Sequence, residues 1–224
     1  MKKLKNLIKQ KEYFIFDMDG TMFDLEHINF NAIEATLEDL FNVDITLNEY
    51  KKYMAGARIK EAIQKLLQNE GITNYNKDNL IKKFRQYKKE KLAKKITEIV
   101  IVKDGLIEFL NYLKNNDKKL AVATSSHKKF VNKIFKAFDV IKFFDIIITA
   151  DDVNNTKPNP EPFLKALKLL NGIKKDAVIF EDSRSGIIGA KKSGIFTIAF
   201  HTPGLNDEFI QLADTYITSY KELF

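Results

Sequence analysis

Glu12-Tyr13-Phe14-Ile15-Phe16-Asp17-Met18-Asp19-Gly20-Thr21 begins as an apolar run and ends in two acids, a glycine and a hydroxyl. The run is short, β-prone and apolar at consecutive rather than alternate positions. That pattern predicts a strand buried on both faces, as in a parallel sheet. A strand that delivers carboxyl groups at its C-terminal end places them where open α/β sheets bind ligands.

Similar runs recur at Lys119–Thr124, Ile146–Thr149, Ala177–Phe180 and Phe196–Ala199. Amphipathic stretches separate them at Lys103–Asn115, Lys128–Phe138, Pro162–Asn171 and Ser185–Ser193. Strands alternating with helices predict βαβ units and a doubly wound, Rossmann-like parallel sheet. Residues 25–95 break the rhythm. Phe30, Ile33, Leu37 and Leu40, then Ile59, Ile63 and Leu66, then Leu80, Phe84 and Tyr87 follow helical spacing. The expected organisation is an α/β core of residues 1–24 and 96–224 with a helical cap of residues 25–95. Placed directly after the acidic strand end, such a cap reads as a lid that shields chemistry from water.

Each later strand end adds chemistry. Thr124-Ser125-Ser126 follows the second strand, Lys157 comes soon after the third, and Glu181-Asp182-Ser183 closes the fourth. Four carboxyl groups (Asp17, Asp19, Glu181 and Asp182) therefore share one edge with one lysine. Like-charge repulsion would drive some of them to bind protons. A hard divalent cation relieves this, and an all-oxygen donor set suits Mg²⁺ rather than Zn²⁺. Such a cation, with Lys157, would attract an anionic group, and Thr124 with backbone N–H groups could cradle a phosphate.

Composition narrows the remaining classes. The 224 residues contain no cysteine, which excludes disulfides, thiolate metal sites and a cysteine nucleophile. That fits a reducing cytoplasm. The basic start Met1-Lys2-Lys3-Leu4-Lys5 is followed by no apolar h-region, so no signal peptide is expected, nor any membrane span. The net charge of +7 comes almost entirely from lysine, the arginines being Arg58, Arg85 and Arg184. Lysine-rich solvated helix faces explain this better than a nucleic-acid surface. A monomer is the expected state.

In order, the motifs resemble those of the haloacid dehalogenase superfamily. Phe14-Ile15-Phe16-Asp17-Met18-Asp19-Gly20-Thr21 is similar to its motif I, Thr124 to motif II, Lys157 to motif III and Glu181-Asp182 to motif IV. The insert after motif I resembles that superfamily's C1 cap. Lys157-Pro158-Asn159-Pro160 and Glu181-Asp182-Ser183-Arg184-Ser185-Gly186 resemble the β-phosphoglucomutase/phosphoglycolate phosphatase branch.

The resemblance implies a Mg²⁺-dependent phosphatase acting on a small phosphorylated metabolite. Asp17 would be the nucleophile that forms an aspartyl phosphate, and Asp19 the general acid and base. Thr124 and Lys157 would hold phosphoryl oxygens, together with the backbone amides of Met18 and Ser125 and with Ser126. Asp17, Asp19, Glu181 and Asp182 would bind the metal. Arg58, in the cap loop Gly56-Ala57-Arg58, reads either as a substrate contact or as a surface charge. The alternative is a β-phosphoglucomutase-type mutase. Thr21, Asn29 and Ile59 stand where that pattern carries a small apolar residue, a histidine and a phosphate-binding arginine. A dehalogenase would need neither Asp19 nor Asp182. A phosphate-binding module without turnover is the non-enzymatic alternative.

Overall fold

The computed structural model describes residues 2–54, 59–91, 96–202 and 207–224, so the expectation for Arg58 lies outside the described residues. The chain divides into two compact units, Met1–Asp24 with Val102–Phe224, and Leu25–Ile101. The return to the first unit, expected at residue 96, falls at Val102.

In chain order, the first unit opens with α1 (Lys2–Gln10), β1 (Tyr13–Phe16) and β2 (Phe23–Asp24). The second unit holds α2 (Glu26–Phe41), α3 (Leu47–Met54), α4 (Ile59–Asn69), α5 (Lys77–Lys91) and α6 (Ile96–Ile99). Its own core gathers Ile33, Leu37, Tyr50, Ile63, Leu67, Leu80 and Phe84. Its helices carry their own stop and start signals. α2 ends at Asn42 in the left-handed conformation (φ 53°), whose N–H caps the Glu38 carbonyl. Thr46 and Glu49 form a capping box before α3: Thr46 N–H donates to Glu49 Oε2 at 2.8 Å, and Glu49 N–H donates to Thr46 Oγ1 at 3.2 Å.

The chain comes back through β3 (Ile101–Val102), which pairs with β2 in a two-stranded ribbon. Then follow α7 (Leu106–Asn115), β4 (Lys119–Ala123), α8 (Lys128–Ala137), β5 (Ile146–Ile148), α9 (Glu161–Leu169), β6 (Ala177–Glu181), α10 (Arg184–Ser193), β7 (Phe196–Phe200) and β8 (Thr215–Ile217). The six-stranded sheet has the order β5-β4-β1-β6-β7-β8, and its pairings are parallel. The ribbon, α1 and β8 are elements that the sequence patterns did not announce. No described helix is long and apolar enough to cross a membrane.

β1 is covered on both faces, as its consecutive apolar residues require. Ile15 packs with Ala121, Ile179, Phe163 of α9 and Ala190 of α10. Phe14 and Phe16 turn the other way, onto Phe109 of α7, and Phe16 also stacks on Phe180 at 4.8 Å. Phe14, Phe16, Phe109 and Phe180 are fully buried, each contributing about 1.5–3 kcal/mol of hydrophobic stabilisation. From β1 the chain steps out to β4 and β5, then crosses to β6, β7 and β8 on the other side. The order therefore reverses at β1, the position where such sheets open a crevice at their C-terminal edge.

Candidate active site

The carboxyl ends of β1, β4, β5 and β6 bring the expected groups to one edge. Asp17 follows β1 directly, and its N–H extends the ladder by donating to the Phe180 carbonyl at 2.9 Å. Thr124 does the same beyond β4, donating to the Ile148 carbonyl at 3.0 Å. Asp17 is 6% exposed, Thr124 1%, Lys157 4% and Glu181 0%. Charged side chains are almost never so buried unless paired, and these are. The Lys157 ammonium donates to Asp17 Oδ1 and, at 2.7 Å, to Glu181 Oε1. It also lies 4.9 Å from the centre of the Phe163 ring.

The loop that presents Lys157 is built by side chains around it. Glu161 accepts from the N–H groups of Asn154 at 2.8 Å and Asn155 at 2.9 Å, folding the segment that leads to Thr156-Lys157. Glu181 is held just as firmly. Its Oε2 accepts from Ser183 N–H at 2.7 Å and Ser183 Oγ at 3.1 Å, at the start of α10. A Cβ on Gly186 would fall 1.7 Å from Glu181 Oε1. Glycine is needed there so that the helix can approach the carboxylate. Both Glu181 oxygens are thus engaged by protein groups.

The remaining two acids are oriented by hydroxyls. Thr21 Oγ1 donates to Asp182 Oδ1 at 2.9 Å, and Ser126 Oγ donates to Asp19 Oδ2 at 2.5 Å. Ser126, expected to line the substrate site, is therefore also the partner of Asp19. Asp19 Oδ1 is buried with no hydrogen-bond partner, an exception among buried polar atoms that points to a missing one. Gly20 has a φ of +89°, and a Cβ there would meet Asp182 Oδ2 at 2.0 Å. This one glycine meets two demands, the left-handed backbone and the close carboxylate. Met18 is buried in the core, which leaves its backbone for the site, and Ser125 is exposed.

Asp24 lies at the end of β2, and the N-cap position of α2 falls to Leu25. The Asp24 carboxylate pairs with Lys103 at 3.1 Å, and Lys103 lies over the Phe200 ring at 5.1 Å. His127 pairs with Asp151 and His201 with Asp207, both outside the four motifs.

The electrostatics follow from burial. Burial pushes the Asp17 carboxyl well above its ordinary range, opposed by Lys157 and reinforced by Glu181 and Asp19. Burial likewise pushes Asp182 up, with Glu181 and Asp17 adding to it and the Thr21 bond and Lys103 opposing. Burial works against the Lys157 ammonium, but Asp17 and Glu181 outweigh it and its pKa stands above normal. Among the described residues no three acidic or histidine side chains converge as a ready-made metal cage; Lys157, Ser183, Thr21 and Ser126 are the partners of these acids. The donor set still fits a hard cation. Its groups are carboxylate oxygens, two of them disfavoured as anions by burial, and one Asp19 oxygen has no partner.

Sequence patterns did not single out Lys103 or Tyr220. Tyr220, in the last turn of the chain, is fully buried and its hydroxyl donates to the Thr21 carbonyl at 3.1 Å. No local signal marks a contact that spans so much of the chain.

The haloacid dehalogenase-like hydrolase family model matches residues 14–200. A phosphorylated carbohydrates phosphatase of Thermotoga maritima is 33% identical over 196 residues, covering 88% of each chain. The validoxylamine A 7'-phosphate phosphatase of Streptomyces hygroscopicus subsp. limoneus is 29% identical, covering 84% of each. The structure of CbbY from Rhodobacter sphaeroides in complex with phosphate superposes with a TM-score of 0.76 at 25% identity, covering 95% of this chain and 96% of that one. With the motif residues on one sheet edge and a family match over most of its length, this chain belongs to the haloacid dehalogenase-like hydrolase family.

Proposed function

We infer that this protein is a Mg²⁺-dependent phosphatase of small phosphomonoesters, sugar phosphates foremost, working through a phosphoryl group carried on Asp17. The observation that carries the reading is the pairing of Asp17, at the end of the central strand, with the buried Lys157 ammonium, while Asp19 two residues on is held by Ser126. The relatives named as phosphatases of phosphorylated carbohydrates and of validoxylamine A 7'-phosphate support the substrate class.

Asp17 attacks phosphorus, and a P–O bond forms as the bond to the leaving oxygen breaks. Asp19, protonated, gives its proton to that oxygen. Asp19, now a carboxylate, takes a proton from water. The water oxygen bonds to phosphorus as the bond to Asp17 breaks, releasing inorganic phosphate and restoring both acids. Lys157 neutralises phosphoryl oxygens, and Thr124 with the amides of Met18 and Ser125 orients them. The carboxylates of Asp17 and Asp182 and the backbone carbonyl of Asp19 would hold Mg²⁺, which supplies charge neutralisation of the phosphoryl group. Glu181, with both oxygens engaged by Lys157 and Ser183, anchors the lysine and would support the Mg²⁺ site from beside Asp182. The helical unit is the source of substrate selectivity on this reading, and the cytoplasm its place of work.

The test is phosphate release across a panel of small phosphomonoesters with Mg²⁺, including β-glucose 1-phosphate with and without glucose 1,6-bisphosphate. Release that EDTA abolishes and Asp17→Asn lowers by at least ~10³ is expected, on the scale of losing a key catalytic group. Conversion of β-glucose 1-phosphate to glucose 6-phosphate without net release would make the protein a mutase. Near-normal release by both Asp17→Asn and Asp19→Asn would sink the mechanism.

A further inference from the structure

The last turn of the chain, Ser219–Glu222, grips two segments of the first unit, 21–24 before the helical insert and 102–105 after it. On the second segment, Tyr220 N–H donates to the Asp104 carbonyl at 3.0 Å and Ser219 Oγ to Asp104 Oδ2 at 2.6 Å. Lys221 pairs with Asp104 Oδ1 at 2.6 Å. A Cβ on Gly105 would meet Lys221 N at 2.7 Å, so the two backbones run in contact. On the first segment, the Tyr220 hydroxyl donates to the Thr21 carbonyl at 3.1 Å. The segments are also tied to each other, since Lys103 N–H donates to the Met22 carbonyl at 3.0 Å.

Thr21 is the junction. Its carbonyl is held by Tyr220, and its hydroxyl holds Asp182 at 2.9 Å. Thr21 is fully buried, so its carbonyl has no access to water and needs a protein donor. The Tyr220 ring cannot drift, because Phe16, Phe109, Phe180 and Phe200 surround it at 5.3–6.2 Å between ring centres. A ring enclosed in this way has the direction of its hydroxyl set by packing. A purely structural aromatic at this position would need no hydroxyl, and burial penalises an unsatisfied one.

We propose that Tyr220 is a positioning residue of the active site: its hydroxyl fixes the Thr21 carbonyl, and through Thr21 sets Asp182 against Gly20 and the Asp17–Asp19 loop. The proposal rests on the phosphatase reading for its kinetic consequence, while its structural consequence is independent of any substrate. Losing the hydroxyl frees the loop, and the correctly set arrangement becomes a smaller share of the population.

The experiment compares wild type, Tyr220→Phe, Thr21→Val and the double variant, by phosphate release with saturating Mg²⁺ and by amide hydrogen exchange of peptides covering residues 17–24. Tyr220→Phe keeps the ring. Its kcat should fall about threefold to tenfold, the scale of one neutral hydrogen bond, with KM within about twofold. Exchange at residues 17–24 should quicken about fivefold or more, while strands β4 and β7 stay protected. In the Thr21→Val background the hydroxyl's kcat effect should vanish, because both changes break one relay. Unchanged loop exchange in Tyr220→Phe, or additive kcat losses in the double variant, would overturn the proposal. Absence of phosphate release by wild type would instead sink the phosphatase reading, with loop exchange still deciding the role of Tyr220. If Tyr220→Phe does not fold, Thr21→Val alone tests the Asp182 end of the same relay. Quickened exchange at 17–24 is then expected, and unchanged exchange overturns it.

Discussion

Removing the ammonium at residue 157 while keeping its length, Lys157→Met, isolates the electrostatic knot of the site. The side chains concerned are nearly sealed: Lys157 is 3% exposed, Asp17 8% and Glu181 1%. Water therefore cannot replace the lost cation. Breaking a buried pair by deleting one partner costs about 3–5 kcal/mol, because the other charge stays buried and unpaired. For a chain of this size ~1 kcal/mol moves Tm by roughly 2–4 °C, so the melt should shift down by about 6–20 °C. The sign of the pH dependence follows from Asp17. Burial already pushes its carboxyl up, and Lys157 is the main opposing influence. A carboxyl with a raised folded-state pKa binds its proton more tightly when folded. Its stability contribution is present at low pH and is lost as pH rises through that raised value. The deficit of Lys157→Met should therefore be larger at pH 8 than at pH 5. Thermal melts in EDTA at both pH values, followed by near-ultraviolet circular dichroism of the buried aromatic cluster, measure it. A deficit below about 2 °C, or one equal at both pH values, would refute the claim that Lys157 neutralises a buried anionic site.

Two further outcomes follow from single contacts. Gly20→Ala must place a Cβ where Asp182 Oδ2 lies, on a backbone at φ +89°. The left-handed backbone alone costs about 1–2 kcal/mol. The shifted Asp182 should also raise the Mg²⁺ concentration needed for half-maximal phosphate release; an unchanged Mg²⁺ requirement would count against Asp182 as a ligand. Asp152 accepts from Thr149 N–H at 2.9 Å and Thr149 Oγ1 at 2.6 Å just beyond β5. The Thr149 hydroxyl bond leads the influences that hold the Asp152 carboxyl below its ordinary range. Its contribution is present above about pH 4 and is lost as pH falls through the lowered folded value. Asp152→Asn should thus lower Tm near neutrality, with the gap beginning to shrink as pH falls below about 4. A gap that grows as pH falls from 7 to 3 would contradict this.

Legibility differed between residues for physical reasons. β1 was readable because both of its faces are buried, so Phe14, Ile15 and Phe16 are all apolar and no alternation competes. The motif residues were readable because parallel strands deliver their C-terminal neighbours to one edge, whatever the loops do. α1 was not, since Ile8 is its one buried residue among lysines and its pattern resembles a solvated tail. β8 spans three residues and carries an exposed Tyr216, too short for a periodic signal. The Lys103–Asp24 and Tyr220–Thr21 contacts join residues far apart in sequence. No propensity scale encodes such pairs, because tertiary packing alone creates them. Ser126 carried a sequence signal, its place after Thr124, but the signal could not tell a substrate contact from a partner of Asp19.

The charge balance at the sheet edge bears on how substrate and cation depend on each other. Asp17 and Glu181 hold the Lys157 ammonium, Asp19 and Asp182 share the same edge, and Lys103 opposes Asp182 from beside Asp24. Lys157 is already committed to two carboxylates. A phosphate monoester arriving as a dianion would meet buried carboxyl groups whose ionisation it opposes, in surroundings where repulsion is little screened. On the proposed reading, Asp17 and Asp182 would hold a divalent cation whose charge offsets most of theirs. The same burial that raises Asp17 and Asp182 in the bare protein is then offset by the ion, so both acids are available as anions when the phosphoryl group arrives. Binding of cation and phosphate should accordingly be linked, each tightening the other by the same factor. Inorganic phosphate affinity measured by calorimetry across a Mg²⁺ series would reveal that factor, and phosphate affinity independent of Mg²⁺ would refute the linkage and leave the anion to protein groups.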